Sequence, residues 1–293
     1  MKKYVIVGMV LVGLLMIGAF GFFYKEAPRK QAKDRVMTTI YPLYELTRHV
    51  TGDSVEVELL VPAGQEVHDY EPTAKQIQTL SDAQLVVYLT DSFEHWLPRD
   101  LIKKGVCATR GMPLLTEGGV VDPHVWQSPS RMLTMLDTIT HELSQRFPDK
   151  QAIFEKNSQG YAKQLEALDV AYHHAFDQAK TPYFVTQHPA FSYLAEDYGL
   201  TQISVQDMAV DQEVTAYRLN ELISEIAAKD IRYLYREDSL SSSLSDTIKR
   251  ETGVQILTLY SLESLTSEQE KTGLTYLSGM YENLENLRKT TDS

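Results

Sequence analysis

Cysteine is all but missing. In a chain of 293 residues Cys107 is the only one, so no intrachain disulfide can form and no cluster of thiolates can hold a metal. A domain without disulfides suits a bacterial extracytoplasmic setting, where a core of this size needs no covalent staples. Positive charge is also in short supply. Against 40 acidic side chains stand 28 basic ones, a net charge of −12. Such a surface repels polyanions, which excludes nucleic-acid binding. The acidity either attracts cations or keeps copies of a soluble domain apart, and a monomer is expected. Repeats of about 20–50 residues and low-complexity tracts are absent. So are an HExxH pair, a nucleophile elbow and a second metal motif, the short signatures of common hydrolases.

One long hydrophobic run is present, at the start. Lys2 and Lys3 precede an uncharged stretch from Tyr4 to Tyr24, long enough to span a bilayer and also compatible with a long signal-peptide core. Ala19 and Gly21 offer small residues for cleavage, whereas no cysteine near the end of the run could carry a lipid. Lys25, Arg29, Lys30 and Lys33 lie beyond it, but a long domain can translocate despite nearby charge. Residues 1–35 are therefore expected to be a signal or membrane anchor followed by a polar tether. Retention is favoured and cleavage is the alternative. The last residues, Arg288 to Ser293, read as a disordered tail.

Between these ends, short β-branched runs alternate with amphipathic segments. Strands are expected at Val36–Ile40, Val55–Val61, Leu85–Leu89, Tyr183–Thr186, Gln202–Val205, Arg232–Tyr235 and Gln255–Leu259. Pro42 opens a helix that ends near Gly52, Thr73 with Gln76 resembles a capping box, and Pro189 opens a helix that stops before Gly199. From Pro129 to about Lys180 no strand is visible. Met132, Leu136, Ile139 and Leu143 keep helical spacing, as do Phe154, Tyr161, Leu165 and Leu168, which predicts a short helix and then a long one. The fold class is α/β, with largely parallel sheets. The expected division is an N-terminal α/β lobe over 36–147, a connecting helix over 148–180 and a C-terminal α/β lobe over 181–293. A long helical connector would limit hinge bending.

Eight histidines occur, and three share a setting. His68 lies in VPAGQEVHDYEPT after a predicted strand, His124 in VVDPHVWQSP just before a helix, and His188 in YFVTQHPAFSYLAEDYG at a strand–helix junction. The carboxyl ends of strands are where α/β folds gather ligands. Neutral imidazole is a good zinc donor, and four-coordination asks for one ligand more. His188 at the N-cap of its helix would have its imidazolium form disfavoured by the helix dipole. Each histidine taken alone reads more readily as a capping or core residue than as a ligand.

The stretches PAGQEVHDYEPT, SDAQLVVYLTDSFEHWLP, DPHVWQSP, TQHPAFSYLAEDYGL and ETGVQILTLYSLESLT, in this order, resemble the metal-specific solute-binding proteins of ABC importers, in their zinc-binding branch. The resemblance runs from Val36 to about Leu287. It implies two α/β lobes joined by one long helix, with the metal in the cleft between them. It implies His68 and His124 as ligands from the first lobe, and His188 and Glu263 from the second. It also implies Zn²⁺ as the bound and transported ion, ABC permease and ATPase subunits as partners, and no enzymatic activity. The manganese-binding branch has a carboxylate in place of the third histidine and an aspartate near the last motif. Here His188 is present and Tyr260 stands where that aspartate would fall. Three imidazoles with one carboxylate suit Zn²⁺ better than Mn²⁺.

The chain departs from the family pattern in three places. No histidine-rich loop lies between His68 and His124, Val214 stands where a proline is usual in the segment 211–215, and the lipid-bearing cysteine is absent. Alternatives to the zinc receptor are a manganese receptor of the same family, a hydrolase in which Glu263 acts as base, and a surface adhesin with structural zinc. Asp69, Asp122 and Glu237 are candidates for orienting a ligand imidazole, or else surface or capping residues. His49 and His141 read as helix-surface residues, His173 and His174 as solvated, His95 as structural near the cleft, and Trp96 and Trp126 as packing residues.

Overall fold

The computed structural model describes residues 34–206, 214–237 and 242–292. The expected anchor and the residues 211–213 lie outside them. From Asp34 onward the chain forms one compact unit. Among the described residues no helix is long and apolar enough to cross a membrane.

The first sheet is parallel and holds β1 (Arg35–Thr38), β2 (Glu56–Leu59), β3 (Leu85–Tyr88) and β4 (Val106–Cys107) in the order β2-β1-β3-β4. Leu-Val-Val-Tyr in β3 is buried throughout, as befits an inner strand covered on both faces. Between β1 and β2 runs α1 (Tyr41–Thr51), with Pro42 in its first turn, where the missing N–H is harmless. Helix α2 (Ala74–Ser81) begins with the expected capping box between Thr73 and Gln76, and α3 (Arg99–Lys104) precedes β4. A small hairpin, β5 (Thr116–Glu117) and β6 (Val120–Val121), turns at Gly118 and Gly119, both at positive φ (58° and 85°), as a two-residue hairpin turn requires. A single 3₁₀ turn (Val125–Gln127) then leads into α4 (Pro129–Arg146), capped by Ser128, and into the 26-residue α5 (Gln151–Phe176).

The second sheet contains β7 (Tyr183–Thr186), β8 (Thr201–Ser204), β9 (Tyr233–Arg236) and β10 (Gln255–Thr258), again parallel, in the order β10-β9-β7-β8. Taken from its other edge this is the strand order of the first sheet. Helices α6 (Ser192–Asp197), α7 (Ala216–Ala228) and α8 (Ser242–Thr252) are interspersed with its strands, α9 (Ser267–Thr272) follows β10, and α10 (Tyr276–Thr291) closes the chain. The molecule thus comprises two α/β halves with α5 between them in sequence.

One apolar core runs through both halves. Val36, Leu46 and Val87 of the first belong to the same buried cluster as Phe184, Tyr235 and Leu259 of the second. Helix α5 is the shared wall. Phe154, Tyr161, Leu165, Leu168 and Tyr172 are all at or below 1% exposure, and the Tyr172 hydroxyl donates to the Met280 carbonyl of α10 at 2.7 Å. Exposing even a few of these side chains would cost about 1.5–3 kcal/mol each, so wide parting of the halves is disfavoured. A second, smaller cluster (Val185, Ile203, Leu222, Ile226, Leu234, Ile248) lies elsewhere in the second half.

Three sequence expectations are corrected. Pro189 does not open a helix: α6 starts at Ser192 with Phe191 as its cap, so His188 is not an N-cap residue. The bend that carries it is stabilised differently, its carbonyl accepting from Thr186 Oγ1 at 2.7 Å and from Gln202 Nε2 at 3.1 Å. The tail is ordered through Thr291, because Thr290 and Thr291 are buried and the Thr291 carbonyl accepts from Lys180 N–H at 2.9 Å. Finally, α4 is not short but spans 18 residues.

Candidate metal centre

Each histidine of the trio follows a strand and is fixed by its loop. His68 lies beyond β2, where the Glu66 carboxylate accepts from the Val67 and His68 N–H groups at 2.9 and 3.0 Å. His124 directly follows the β5–β6 hairpin and Pro123, and the Asp122 carboxylate accepts from its N–H at 2.9 Å. His188 lies just past β7 in the bend described above. Glu263 follows β10, next to Leu262, whose φ of 53° is in the left-handed region. Leu262 is 2% exposed and packs on Gly279 of α10. The loop is tied further: the Ser261 carbonyl accepts from Trp126 Nε1 at 2.7 Å and from Gln127 Nε2, and the Glu263 carbonyl from Tyr41 N–H at 3.2 Å.

These loops converge from both sheets. The ring centroids of His68, His124 and His188 are 4.9–5.3 Å apart, and one ring nitrogen from each lies within 4.8 Å of the others. Glu263 Oε2 is 3.5 Å from His68 Nε2, so all four sequence candidates occupy one cluster. Glu66, His68 and Glu263 form a second, overlapping group. Sequence reasoning had not singled out Glu66.

The tautomers follow from the partners. His124 Nδ1 donates to Asp122 Oδ1 at 2.7 Å, which leaves the Nε2 lone pair free. That Nε2 is 3.2 Å from His68 Nε2. Two donors around a tetrahedral zinc ion at about 2.0–2.1 Å each stand about 3.3 Å apart, so the spacing fits a shared ion. His188 Nδ1 faces Glu237 Oε1 across 3.4 Å, while its Nε2 is buried and has no hydrogen-bond partner among the described residues. A buried ring nitrogen without a partner is costly unless something else satisfies it. Asp122 and Glu237 thus flank ligand candidates, as expected.

Electrostatics favours the metal-ready state at most positions. Burial holds His124 down to about 4, with Asp122 opposing only in part. Burial would raise Glu263, yet the nearby imidazoles, His68 first, outweigh it and keep the carboxylate charged. Burial also works against protonation of His68, but Glu263 prevails and the ring is shifted upward. Glu237 is pushed up by burial, and the charge on Glu263 adds to this.

Residues that sequence reasoning missed frame the cluster. The Tyr193 hydroxyl donates to the Asp122 carbonyl at 2.7 Å and accepts from Leu115 N–H at 3.0 Å. Arg131 stacks over the Tyr193 ring at 4.5 Å and pairs with Asp197 at 2.7 Å, joining α4 to α6. Glu94 is buried and accepts from Thr39 Oγ1 at 2.6 Å and from Leu89 and Thr90 N–H at 2.9 Å. Burial pushes its carboxyl up to about 7. It pins the loop carrying Phe93 and His95. Of the other histidines, His49 stacks on Tyr161 at 3.7 Å, and His173 and His174 are exposed. Trp126 is fully buried.

The family described as zinc-uptake complex component A, periplasmic, matches residues 36–290. The chain is similar to the zinc-binding lipoprotein AdcA of Streptococcus pneumoniae, with 40% identity over 305 aligned residues that cover 96% of this chain and 61% of that one. Its length is thus about three fifths of that relative's. The high-affinity zinc uptake system protein ZnuA of Bacillus subtilis is 35% identical over 285 residues, covering 90% of this chain and 89% of that protein. The fold superimposes on the Zn(II)-bound ZnuA-like domain of Streptococcus pneumoniae AdcA with a TM-score of 0.81 and 43% identity, covering 89% of this chain and 100% of that domain.

Proposed function

The chain belongs to the zinc-uptake complex component A family, and on that premise we propose that it is an extracytoplasmic receptor that binds Zn²⁺ through His68, His124, His188 and Glu263 and delivers it to the permease and ATPase subunits of an ABC importer. The observation that carries this reading is the buried His188 Nε2, partnerless among the described residues, facing two further imidazoles and a charged carboxylate. Three nitrogens and one oxygen would make a closed tetrahedral set around the ion. Such a set holds zinc without the open position that hydrolysis needs, which favours a binding component over an enzyme. The same donors suit Zn²⁺ over Mn²⁺.

The receptor divides into an anchor and tether over 1–35, an N-terminal lobe over 36–147, the connecting helix region 148–180 and a C-terminal lobe over 181–293. It works as a monomer, membrane-anchored or secreted. Elemental analysis of the purified protein, with chelator-competition titrations of Zn²⁺ and Mn²⁺, tests the reading. One equivalent of tightly bound Zn²⁺, much weaker Mn²⁺ binding, and a loss of zinc affinity by orders of magnitude in His188→Ala are expected. Unchanged affinity in that variant would overturn the ligand assignment.

A further inference from the structure

A cavity of about 230 Å³ stands directly against the cluster, lined by His68, Phe93, His95, Val121 and Pro123 among others. Among the four candidate donors His68 alone keeps appreciable exposure. Its side chain is 17% accessible, whereas His124 is fully buried, His188 is 2% exposed and Glu263 5%. An ion moving between solvent and the cluster therefore meets His68 first, and this cavity lies over that residue. Phe93 stands edge-on to the His68 ring at 5.6 Å and forms an apolar wall with Val121 and Pro123. Val120, at the rim, is 58% exposed. His95 is exposed to solvent and faces the same space. Among the described residues no lysine or arginine lines the cavity, so none of them sets a fixed positive charge against a cation there.

The volume suits the traffic. Six waters at about 30 Å³ each fit within about 230 Å³, so a zinc ion can arrive with its hydration shell and shed it inside. Shedding water is easier when a protein donor replaces each molecule as it leaves. Besides the Ser92 hydroxyl, which is shared with Thr90 Oγ1 at 3.0 Å, the wall offers the imidazole of His95 as such a donor. Its loop is held in place from beneath by the buried Glu94.

We propose that His95 is an accessory zinc-contacting residue, the outer station of an access route on which the ion is held in the Phe93–Val121 cavity before transfer to His68. This inference rests on the zinc-receptor reading above. It assigns His95 to the kinetics of loading and unloading, not to the final affinity. A transient ligand lowers the barrier in both directions and leaves the end states alone.

Stopped-flow mixing of the metal-free full chain with Zn²⁺, read by a metallochromic dye, tests it. His95→Ala is expected to slow association several-fold, through loss of a donor that replaces leaving water, and to slow chelator-driven release in parallel. Equilibrium affinity should stay within about twofold, since association and dissociation change together. His95→Asp, which restores a metal donor, is expected to recover most of the lost rate. Wild-type rates in His95→Ala would overturn the proposal. So would an equally slow His95→Asp, because a merely structural role predicts no rescue by a donor of different shape. If the unaltered chain binds no Zn²⁺ at equilibrium, the receptor reading itself fails, an outcome distinct from either rate result.

Discussion

At the scale of single residues, the cluster is controlled by protons and by the carboxylates behind the rings. His124, held down to about 4, keeps its Nε2 lone pair throughout the neutral range and asks for no proton release. His68 is shifted upward by Glu263, and its ring proton competes with the metal. Zinc affinity is therefore expected to fall as pH drops through the raised His68 value, approaching about tenfold per pH unit for one displaced proton. Calorimetric titrations in buffers of different ionisation enthalpy would count that proton; two or more would mean that a second ring is charged. Asp122→Asn keeps an acceptor for His124 Nδ1 but removes the charge behind it, so a loss of about 10–100-fold in zinc affinity is expected, measured by chelator competition. The candidate donors were legible in the sequence as histidines following strands. Their convergence was not, since the His68 and His124 rings meet across 56 positions that no local spacing rule encodes. Glu263 came only through resemblance to a family. Tyr193 and Arg131 had no signal at all, because a tyrosine and an arginine on helices look the same whether they clamp a loop or face water.

Among elements, the loop after β10 and helix α10 make the most demanding contact. A Cβ placed at Gly279 would stand 2.8 Å from Leu262 Cδ2 and 3.1 Å from Cδ1. Leu262 is buried with its backbone already left-handed, so it has little room to retreat. Gly279→Ala is expected to destabilise the protein by about 1–3 kcal/mol, as overpacking does, and to move Glu263 off the cluster. Denaturant unfolding would show the first effect and a weakened zinc affinity the second; normal affinity in the folded variant would mean that Leu262 does not position Glu263. Strands such as Leu85–Tyr88 and Tyr183–Thr186 were readable because β-branched and aromatic runs suit a pleated, buried surface. The β5–β6 hairpin and the two residues of β4 were too short to show a period. The last turn of α10 was misread because Arg288, Lys289, Thr290 and Thr291 are polar, yet Thr290 and Thr291 are buried, Thr290 against the Tyr235 hydroxyl of the second half. The Pro189 expectation failed for a similar reason: Thr186 and Gln202 hold the chain in a bend where a helix start looked favourable.

As a whole molecule, the protein has two four-stranded sheets that share one core, and the candidate donors come from loops of both halves. A ligand that binds the folded chain and not the unfolded one stabilises it by about 2.7 kcal/mol at 100 times its Kd. For a domain of this size that is about 5–10 °C in Tm. Scanning calorimetry with and without a chelator is expected to show that shift as a single transition, because the continuous core couples the halves. Two separated transitions, only one of them metal-sensitive, would show that the halves unfold independently. The cluster contains only nitrogen and oxygen donors, and the lone thiol, Cys107, is spent on a hydrogen bond to the Leu89 carbonyl at 3.3 Å and is pushed further toward its protonated form by burial. Oxidants that eject zinc from sulfur-ligated sites act on thiolates, and here they find none. For an extracytoplasmic zinc receptor of the kind proposed, in surroundings of peroxide and changing redox potential, the grip on the ion would be set by acidity and by competing chelators.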